Sequence, residues 1–301
     1  MKQKVALALG SGGARGLAHI GVIEELEKQG FEITSVSGCS MGALIAGFYA
    51  MNKLNGYADW ICTLKKKDVY SLMDITLNQS RLLKGERVFN KMKELIPDML
   101  IENMHIPFSA VTTDILSREE VVFTTGIFYT AARASSAIPA IITPFAAGDK
   151  TFVDGGLLNP VPVTHVKRTE GDLLVAVNLY DEKHNTAEYE DENRKVLSGE
   201  KKASEHRWLH LNSSIEYLQQ KIQELIPKTD NQNQGYLTLL QFTSSMMLTR
   251  ISNLLLELYK PEITINIPAD SAKTFEFYKA SRLIEMGREA ALQSIRGFVA
   301  I

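Results

Sequence analysis

The residue best suited to chemistry is Ser40, which lies between Gly38 and Gly42 in a G-x-S-x-G pattern. In that pattern a serine nucleophile occupies a sharp turn between a strand and a helix. A β-prone run at 33–37 precedes it, and an apolar run at 43–51, long enough for a buried helix, follows it. The glycines leave room where a Cβ would collide with neighbouring backbone, and the helix N-terminus favours developing negative charge. We interpret Ser40 as a nucleophile; the alternative is an ordinary glycine-rich turn.

A second glycine-rich segment lies between the first β-prone run and the first helix-like run. Its glycines are Gly10, Gly12, Gly13 and Gly16, and Arg15 is its charged residue. A dinucleotide-binding loop would need a glycine where Arg15 stands, and a phosphate loop would need a Gly-Lys-Ser/Thr ending that is absent. An oxyanion hole, formed by N–H groups near a helix N-terminus, and a simple tight turn remain. Because a nucleophile turn is expected on the adjacent strand, we favour the oxyanion hole.

A serine nucleophile needs a general base, usually a histidine that a carboxylate orients. Only His165 lies near a motif-like region, and 162–166 is typical of the start of a helix. None of the six histidines has a context that marks it as the base: His19, His105, His165, His184, His206 and His210. Asp154 is more informative, because it ends a β-prone run and precedes Gly155 and Gly156. The alternative for this acid is a common Asp-Gly turn.

Composition indicates an ordinary globular protein. The chain has 301 residues, of which 45% are hydrophobic and 23% charged, and its formal net charge is −2. These values give no sign of the clustered basic surface that binds nucleic acid. Cys39 and Cys62 can form neither a disulfide framework nor a structural zinc site. Because the sequence shows no metal-ligand or cofactor motif, we expect no cofactor, no metal and activity that persists in excess chelator.

The sequence also carries expectations about location. The apolar run 5–9 ends at Gly10 and is too short for a signal peptide. No apolar stretch approaches the length of a membrane span. With two cysteines that suit a reducing compartment, we expect a cytoplasmic protein, which could act peripherally at a membrane surface.

The alternation of β-prone and helix-like segments predicts an α/β domain with a largely parallel central sheet flanked by helices. The motif-bearing part extends from about residue 4 to 180. Predicted strands cover 5–9, 33–37, 107–113, 120–124, 151–153 and 172–179. Predicted helices in the same part cover 17–29 and 128–137.

The remaining chain changes in composition. Residues 181–235 are highly charged at first and regain helical spacing at 213–226, which predicts a charged, helical insertion that could form a lid or an interface. Residues 236–301 would complete a single domain spanning 1–301. Its predicted elements are a long helix at 236–258, a strand at 263–267 and a closing helix at 274–291.

Together these segments resemble the signatures of the patatin-like phospholipases. The resemblance runs from residue 4 to about 180, and four motifs occur in the expected order. They are the glycine loop 12–16, the G-x-S-x-G segment 38–42, Ala-Ser-Ser-Ala-Ile-Pro at 134–139 and Asp-Gly-Gly at 154–156. Residues 283–287 also resemble the terminal helix of bacterial members.

The resemblance implies a patatin-like three-layer sandwich and a Ser-Asp dyad without histidine, with Ser40 as nucleophile and Asp154 as its base. The implied oxyanion hole consists of loop amides at Gly12, Gly13, Ala14 and Arg15. Arg15 would brace the loop or contact an anionic head group. A carboxylate with the ordinary pKa of about 4 is a weak base, so the dyad needs a partly desolvated Asp154 or a strong oxyanion hole.

The implied substrate is an acyl lipid such as a phospholipid, a lysophospholipid or an acylglycerol, cleaved through an acyl-enzyme. Two alternatives stay open. A transacylase would use the same acyl-enzyme with an acceptor alcohol, and a lipid-binding or regulatory protein on this fold would turn over little. Neither acyl length nor oligomeric state follows from the sequence, and a homo-oligomer is compatible with it.

Overall fold

The computed structural model describes residues 2–74, 83–182 and 231–299. The chain divides into a larger unit, formed by 1–184 and 248–301, and a smaller unit, 185–247. In the smaller unit, the described residues 231–247 are helical. Most of the predicted insertion at 181–235, including its helical run at 213–226, lies outside the described residues.

Eight strands of the described residues form one sheet. They are β1 (Gln3–Leu9), β2 (Phe31–Cys39), β3 (Phe108–Asp114), β4 (Glu119–Phe123), β5 (Phe145–Ala147), β6 (Lys150–Asp154), β7 (Leu173–Asp181) and β8 (Ile263–Pro268). The hydrogen-bonded pairs connect the strands in the sequence β5-β6-β3-β2-β1-β7-β8, and β4 pairs with β3 as well. Strands β3, β2, β1, β7 and β8 are mutually parallel, while β4, β5 and β6 form antiparallel pairs. The predicted largely parallel sheet is therefore confirmed.

Helices cover both faces of this sheet. They are α1 (Ala18–Lys28), α2 (Met41–Ala50), α3 (Leu54–Thr63), α4 (Lys66–Ser71), α5 (Glu86–Leu95), α6 (Phe128–Ser135), α7 (Asn231–Tyr259) and α8 (Ala280–Val299). The main hydrophobic core joins alternate residues of β1 to α1, α2, α6 and α8. On the opposite face, Ala6 and Ala8 of β1 pack in a smaller cluster that Leu256 of α7 contacts. Because β1 is covered on both sides, its sequence is a continuous apolar run.

Two predicted helices differ from the structure at their boundaries. The segment predicted as helix from residue 17 begins instead with a 3₁₀ turn, Gly13–Leu17, and α1 follows. The closing helix predicted at 274–291 begins six residues later and ends eight residues later. A turn at 274–275 and a 3₁₀ helix, Phe277–Lys279, precede it, and the Thr274 carbonyl accepts a hydrogen bond from the Ala14 N–H at 2.9 Å.

Two other parts of the sequence prediction are wrong or incomplete. Residues 162–166 form turns rather than a helix start, because Pro160 and Pro162 lack backbone donors and hold this segment in a non-helical path. No helix was predicted from the sequence in the segments that form α3, α4 and α5. None of the helices in the described ranges is long and apolar enough to cross a membrane.

Helices α1 and α8 cross at unusually close range through a pair of glycines. A Cβ added to Gly21 would overlap the Ile284 carbonyl oxygen, and one added to Gly287 would overlap the Ala18 carbonyl oxygen. The glycine of the terminal segment 283–287 is thus required by packing. Since α1 follows the glycine loop directly, this crossing also fixes where that loop lies.

We expect Gly287→Ala to lower the free energy of unfolding by about 2 kcal/mol, because the added methyl must displace backbone in a filled core. Gly297→Ala is the matched control on the same helix, where an added Cβ meets nothing within 4 Å. Higher helix propensity should leave this control unchanged or up to about 1 kcal/mol more stable. Urea unfolding measures the free energy of unfolding of both variants, and an equal change in the two would contradict the close crossing of α1 and α8.

Candidate active site

Ser40 forms a one-residue turn between the end of β2 and the start of α2. Its φ of 55° and ψ of −121° lie in a region that L-residues rarely adopt. Such strain persists only where surrounding contacts enforce it, and it is concentrated at functional sites. The side chain is only 4% exposed. The strand, turn and helix expected around Ser40 are therefore all present.

The glycines on either side of Ser40 are required by close backbone contacts. A Cβ at Gly38 would overlap the carbonyl of Gly42, and a Cβ at Gly42 would overlap the carbonyl oxygen of Leu9. The first turn of α2 thus rests directly on the end of β1. This contact places Ser40 beside the glycine loop, which starts at Gly10.

A hydrogen-bonded serine on α6 holds the Ser40 backbone. The Ser40 N–H donates to Ser135 Oγ at 2.9 Å, and the Ser135 hydroxyl donates to the Val111 carbonyl at 2.6 Å. Ser135 is fully buried. The turn is therefore tied to β3. Sequence reasoning included Ser135 in the 134–139 motif but gave it no role.

The sheet register brings Asp154 to Ser40. Strand β4 pairs with β3 from Ala110 to Asp114, so it occupies one edge of β3 throughout. Strands β2 and β6 must share the other edge. Cys39, at the end of β2, lies opposite Val111, and Asp154, at the end of β6, lies opposite Thr112, the next residue of β3. Strand β6, which ends at Asp154, thus pairs with the edge of β3 directly beyond the point where β2, which leads to Ser40, stops pairing with it.

The Asp154 carboxylate is buried and bound by several donors. Its Oδ1 accepts the Gly156 N–H at 2.8 Å and the Cys39 S–H at 3.7 Å, and the Ser40 side chain is near enough to lower the pKa of the carboxyl group. Burial raises the pKa of Asp154 to about 6, and these hydrogen bonds limit the rise. A Cβ at Gly155 would overlap the Val111 carbonyl oxygen. The desolvated carboxylate that a Ser-Asp pair needs is therefore present.

The glycine loop is held by bonds to neighbouring strands and turns. The Gly10 N–H donates to Val177 at 3.1 Å, and the Ser11 N–H donates to Pro160 at 2.8 Å. Close packing accounts for two further glycines. A Cβ at Gly12 would meet the Leu179 side chain, and one at Gly16 would overlap the Met41 side chain.

Among the four amides expected to form an oxyanion hole, two fit the role best. The Ala14 N–H is engaged by the Thr274 carbonyl at 2.9 Å, which makes it a poor candidate donor. Within the described ranges, the N–H groups of Gly12 and Gly13 donate to no protein acceptor. Gly13, with a φ of 57°, lines the same cavity as Ser40. Thr274, which directs Ala14 away, gave no signal in the sequence.

Arg15 acts as a brace for this loop. Its Nε donates to the Gly12 carbonyl at 3.2 Å, and its Nη1 donates to the Ala269 carbonyl at 2.7 Å. The guanidinium also lies 4.9 Å from the centre of the Tyr180 ring, within cation–π range. Of the two roles expected for Arg15, the structure shows the bracing one.

The histidines that the structure describes are engaged elsewhere. His19 is buried, its Nε2 lies 2.8 Å from the Gly10 carbonyl oxygen, and burial lowers its pKa to about 4. It is therefore neutral, with the proton on Nε2. His165 pairs with Glu120 at 2.7 Å, and His105 is exposed. The other three, His184, His206 and His210, lie outside the described residues.

An apolar cavity of about 140 Å³ opens beside Ser40. Helices α2, α3 and α5 each contribute apolar side chains to its wall, among them Leu44, Ile61 and Val88. Polar groups are few, and Ser136 and Asp74 are among them. In the described ranges no three His, Cys, Asp or Glu side chains are grouped as a metal site would require. The cavity offers room for an apolar group attached to a reacting carbonyl.

Burial of the Asp154 carboxylate predicts a pH-dependent cost in stability. Its pKa is about 6 when folded and near 3.8 when unfolded, so the folded state binds more protons between these values. Stability thus falls as pH rises from about 4 to 6, and the full cost remains at higher pH. We expect Asp154→Asn to be more stable than the unmodified chain by on the order of 2 kcal/mol at pH 8, shrinking toward zero near pH 4.

Urea unfolding at the two pH values measures this difference. Asp149→Asn, in the exposed turn before β6, is the control and should change little at either pH. An Asp154→Asn effect that does not depend on pH would contradict a desolvated carboxylate.

Comparison with known proteins supplies independent information. The sequence profile described as "Patatin; Patatin-like phospholipase" matches residues 7–167. An uncharacterised NTE family protein of Mycobacterium tuberculosis is 39% identical over 176 residues, which cover 58% of this chain and 49% of that protein. A lysophospholipase of Kluyveromyces lactis is 28% identical over 185 residues, covering 59% of this chain and 13% of that protein.

The chain spans about half the length, or less, of these curated relatives. Among solved structures, VipD from Legionella pneumophila aligns with 99% of this chain and 67% of its own, at a TM-score of 0.44 and 14% identity. The matched profile covers more than half of the sequence, including Ser40, Asp154 and the glycine loop. The chain belongs to the patatin-like phospholipase family.

Proposed function

We propose that this protein is a serine lipid acyl hydrolase that cleaves carboxylic ester bonds through an acyl-enzyme on Ser40, with Asp154 as general base. One observation supports this most strongly. A serine in a strained turn and a desolvated carboxylate meet where β2 and β6 share one edge of β3. Family membership agrees with this assignment.

In the first step the Ser40 hydroxyl attacks the ester carbonyl carbon while Asp154 accepts its proton. The carbonyl oxygen becomes an oxyanion, for which the N–H groups of Gly12 and Gly13 are the available donors. Collapse of the tetrahedral intermediate breaks the bond to the leaving alkoxide, which takes the proton from Asp154. Water then attacks the acyl-enzyme, Asp154 accepts its proton, and the carboxylic acid and Ser40 are released.

The substrate class follows from the apolar cavity beside Ser40. Its walls can replace water around a hydrocarbon chain, each buried CH₂ contributing about 0.8 kcal/mol. We therefore propose acyl lipids of the phospholipid, lysophospholipid or acylglycerol type, with the acyl chain in this cavity. The same proposal includes the enzyme's subtype, a phospholipase A or a lysophospholipase.

The central test is hydrolysis of a water-soluble short-chain ester by the unmodified chain, Ser40→Ala and Asp154→Asn. Both variants should lose at least about 1,000-fold in kcat/KM, because they remove the nucleophile or its base. Cys62→Ala, at an exposed cysteine, is the control and should keep full activity. Turnover that survives either site substitution would contradict the dyad. Product analysis with added acceptor alcohol distinguishes hydrolysis from acyl transfer.

The pH profile of the unmodified chain follows from the same pKa. Asp154 accepts a proton only when it is deprotonated, so kcat/KM should rise about tenfold per pH unit below pH 6 and level off above it. A profile that is flat between pH 4 and 7 would show that no carboxylate of raised pKa serves as the base.

Acyl-chain preference should depend on the cavity wall. Val88→Phe on α5 adds volume inside the cavity, so kcat/KM for a long-chain ester should fall at least about tenfold relative to a short-chain ester. Leu95→Phe on the same helix is the control, since Leu95 is exposed and lies outside the cavity wall. Equal chain-length preference in the two variants would place the acyl chain elsewhere.

A further inference from the structure

Behind the dyad lies a row of buried hydroxyl and thiol groups that the proposed mechanism does not use. The Tyr180 hydroxyl, near the end of β7, lies 2.9 Å from Ser11 Oγ in the glycine loop. Both side chains are 4% exposed. Ser11 Oγ and Asp154 Oδ1 both lie within 3.0 Å of the position that a Cβ on Gly156 would take, and Ser11 lowers the pKa of the fully buried Cys39 thiol. Cys39 donates its S–H to Asp154 Oδ1 at 3.7 Å.

We propose that Tyr180, Ser11 and Cys39 form a positioning relay whose donors all point toward the Asp154 carboxylate and hold it as the deprotonated base. The inference rests on the proposed function of Asp154. It assigns roles to the variable residues of two motifs, Cys39 in G-x-S-x-G and Ser11 in the glycine loop. Tyr180 comes from a distant strand.

The direction of the relay follows from the charge states of its members. Burial, followed by the neighbouring Asp154 charge, raises the pKa of the Cys39 thiol well above its usual range, so Cys39 keeps its proton. Burial raises the pKa of Tyr180 to about 12. Because Ser11 lowers the Cys39 pKa, as a hydrogen-bond donor would, we orient the Ser11 proton toward Cys39, and the Tyr180 hydroxyl then donates to Ser11.

Two charged groups act on the relay from neighbouring elements. The Arg15 guanidinium faces the Tyr180 ring and favours an electron-rich oxygen there, which lowers the Tyr180 pKa against the effect of burial. Glu120 on β4 acts on Cys39 in the opposite sense and helps to keep the thiol protonated. Glu120 thus reinforces the protonated thiol, whereas Arg15 opposes burial at Tyr180, whose pKa of about 12 still keeps the hydroxyl protonated near neutral pH.

Loss of a donor should raise the Asp154 pKa, because hydrogen bonds to a carboxylate stabilise its charged form. We expect Cys39→Ala to move the acid limb of kcat/KM to higher pH, so that activity at pH 5 falls about threefold to tenfold while activity at pH 8 changes less than about twofold. Cys39→Ser restores a donor and should return the limb toward its original pH. Tyr180→Phe removes only an oxygen and should give a smaller shift of the same sign.

Tyr49→Phe and Cys62→Ala are the matched controls. The Tyr49 hydroxyl pairs with Glu27 away from the dyad, and Cys62 is exposed. Neither should move the acid limb. A loss of activity in Cys39→Ala that is equal at all pH values, or an unshifted limb in both Cys39→Ala and Tyr180→Phe, would overturn the relay.

Carboxyl titration by ¹³C NMR, with aspartate labelled and Asp154→Asn used for assignment, separates the relay from the proposed function. If the Asp154 pKa rises in Cys39→Ala and Tyr180→Phe, the relay stands even where the protein hydrolyses no ester. If it does not rise, the relay fails even where hydrolysis depends on Ser40 and Asp154.

Discussion

The whole site depends on one edge of β3. Over its first half that edge pairs with β2, and over its last residues it pairs with β6 in the opposite direction. Because β2 ends at Cys39 and β6 ends at Asp154, the turn that follows β2 and the carboxylate that ends β6 must meet. Gly38, Gly42 and Gly155 are required around this junction, since a Cβ on each would collide with backbone.

Burial sets the chemistry at that junction. Desolvation raises the pKa of Asp154 toward the neutral range, where a carboxylate becomes a useful base, while donors from Gly156, Cys39 and Ser40 keep it ionisable. The same burial lowers the pKa of His19 and leaves it neutral against the Gly10 carbonyl. Burial thus moves the pKa of the Asp154 carboxyl group toward neutral pH and the pKa of the His19 imidazole away from it.

Local patterns in the sequence were sufficient to predict the parallel strands, the turn at Ser40 and the acid at Asp154, because each is marked by glycines or by continuous apolar runs. They could not reveal Thr274 or Tyr180, whose contacts with the glycine loop join residues more than 150 positions apart. For the same reason Ala14 was counted as an oxyanion donor although its N–H is engaged. The predicted start of the last helix failed at Thr274, whose carbonyl accepts a tertiary hydrogen bond from Ala14 instead of a helical one.

Activation of Ser40 by Asp154 can be measured as the rate at which a fluorophosphonate modifies Ser40, followed by peptide mass spectrometry across pH 4 to 8. We expect modification at Ser40 alone among the serines, with a rate that rises through about pH 6 in the unmodified chain. In Asp154→Asn the rate should be at least about 100-fold lower at pH 8. Equal labelling of both proteins, or no labelling of Ser40 at any pH, would contradict the claim that Asp154 activates Ser40.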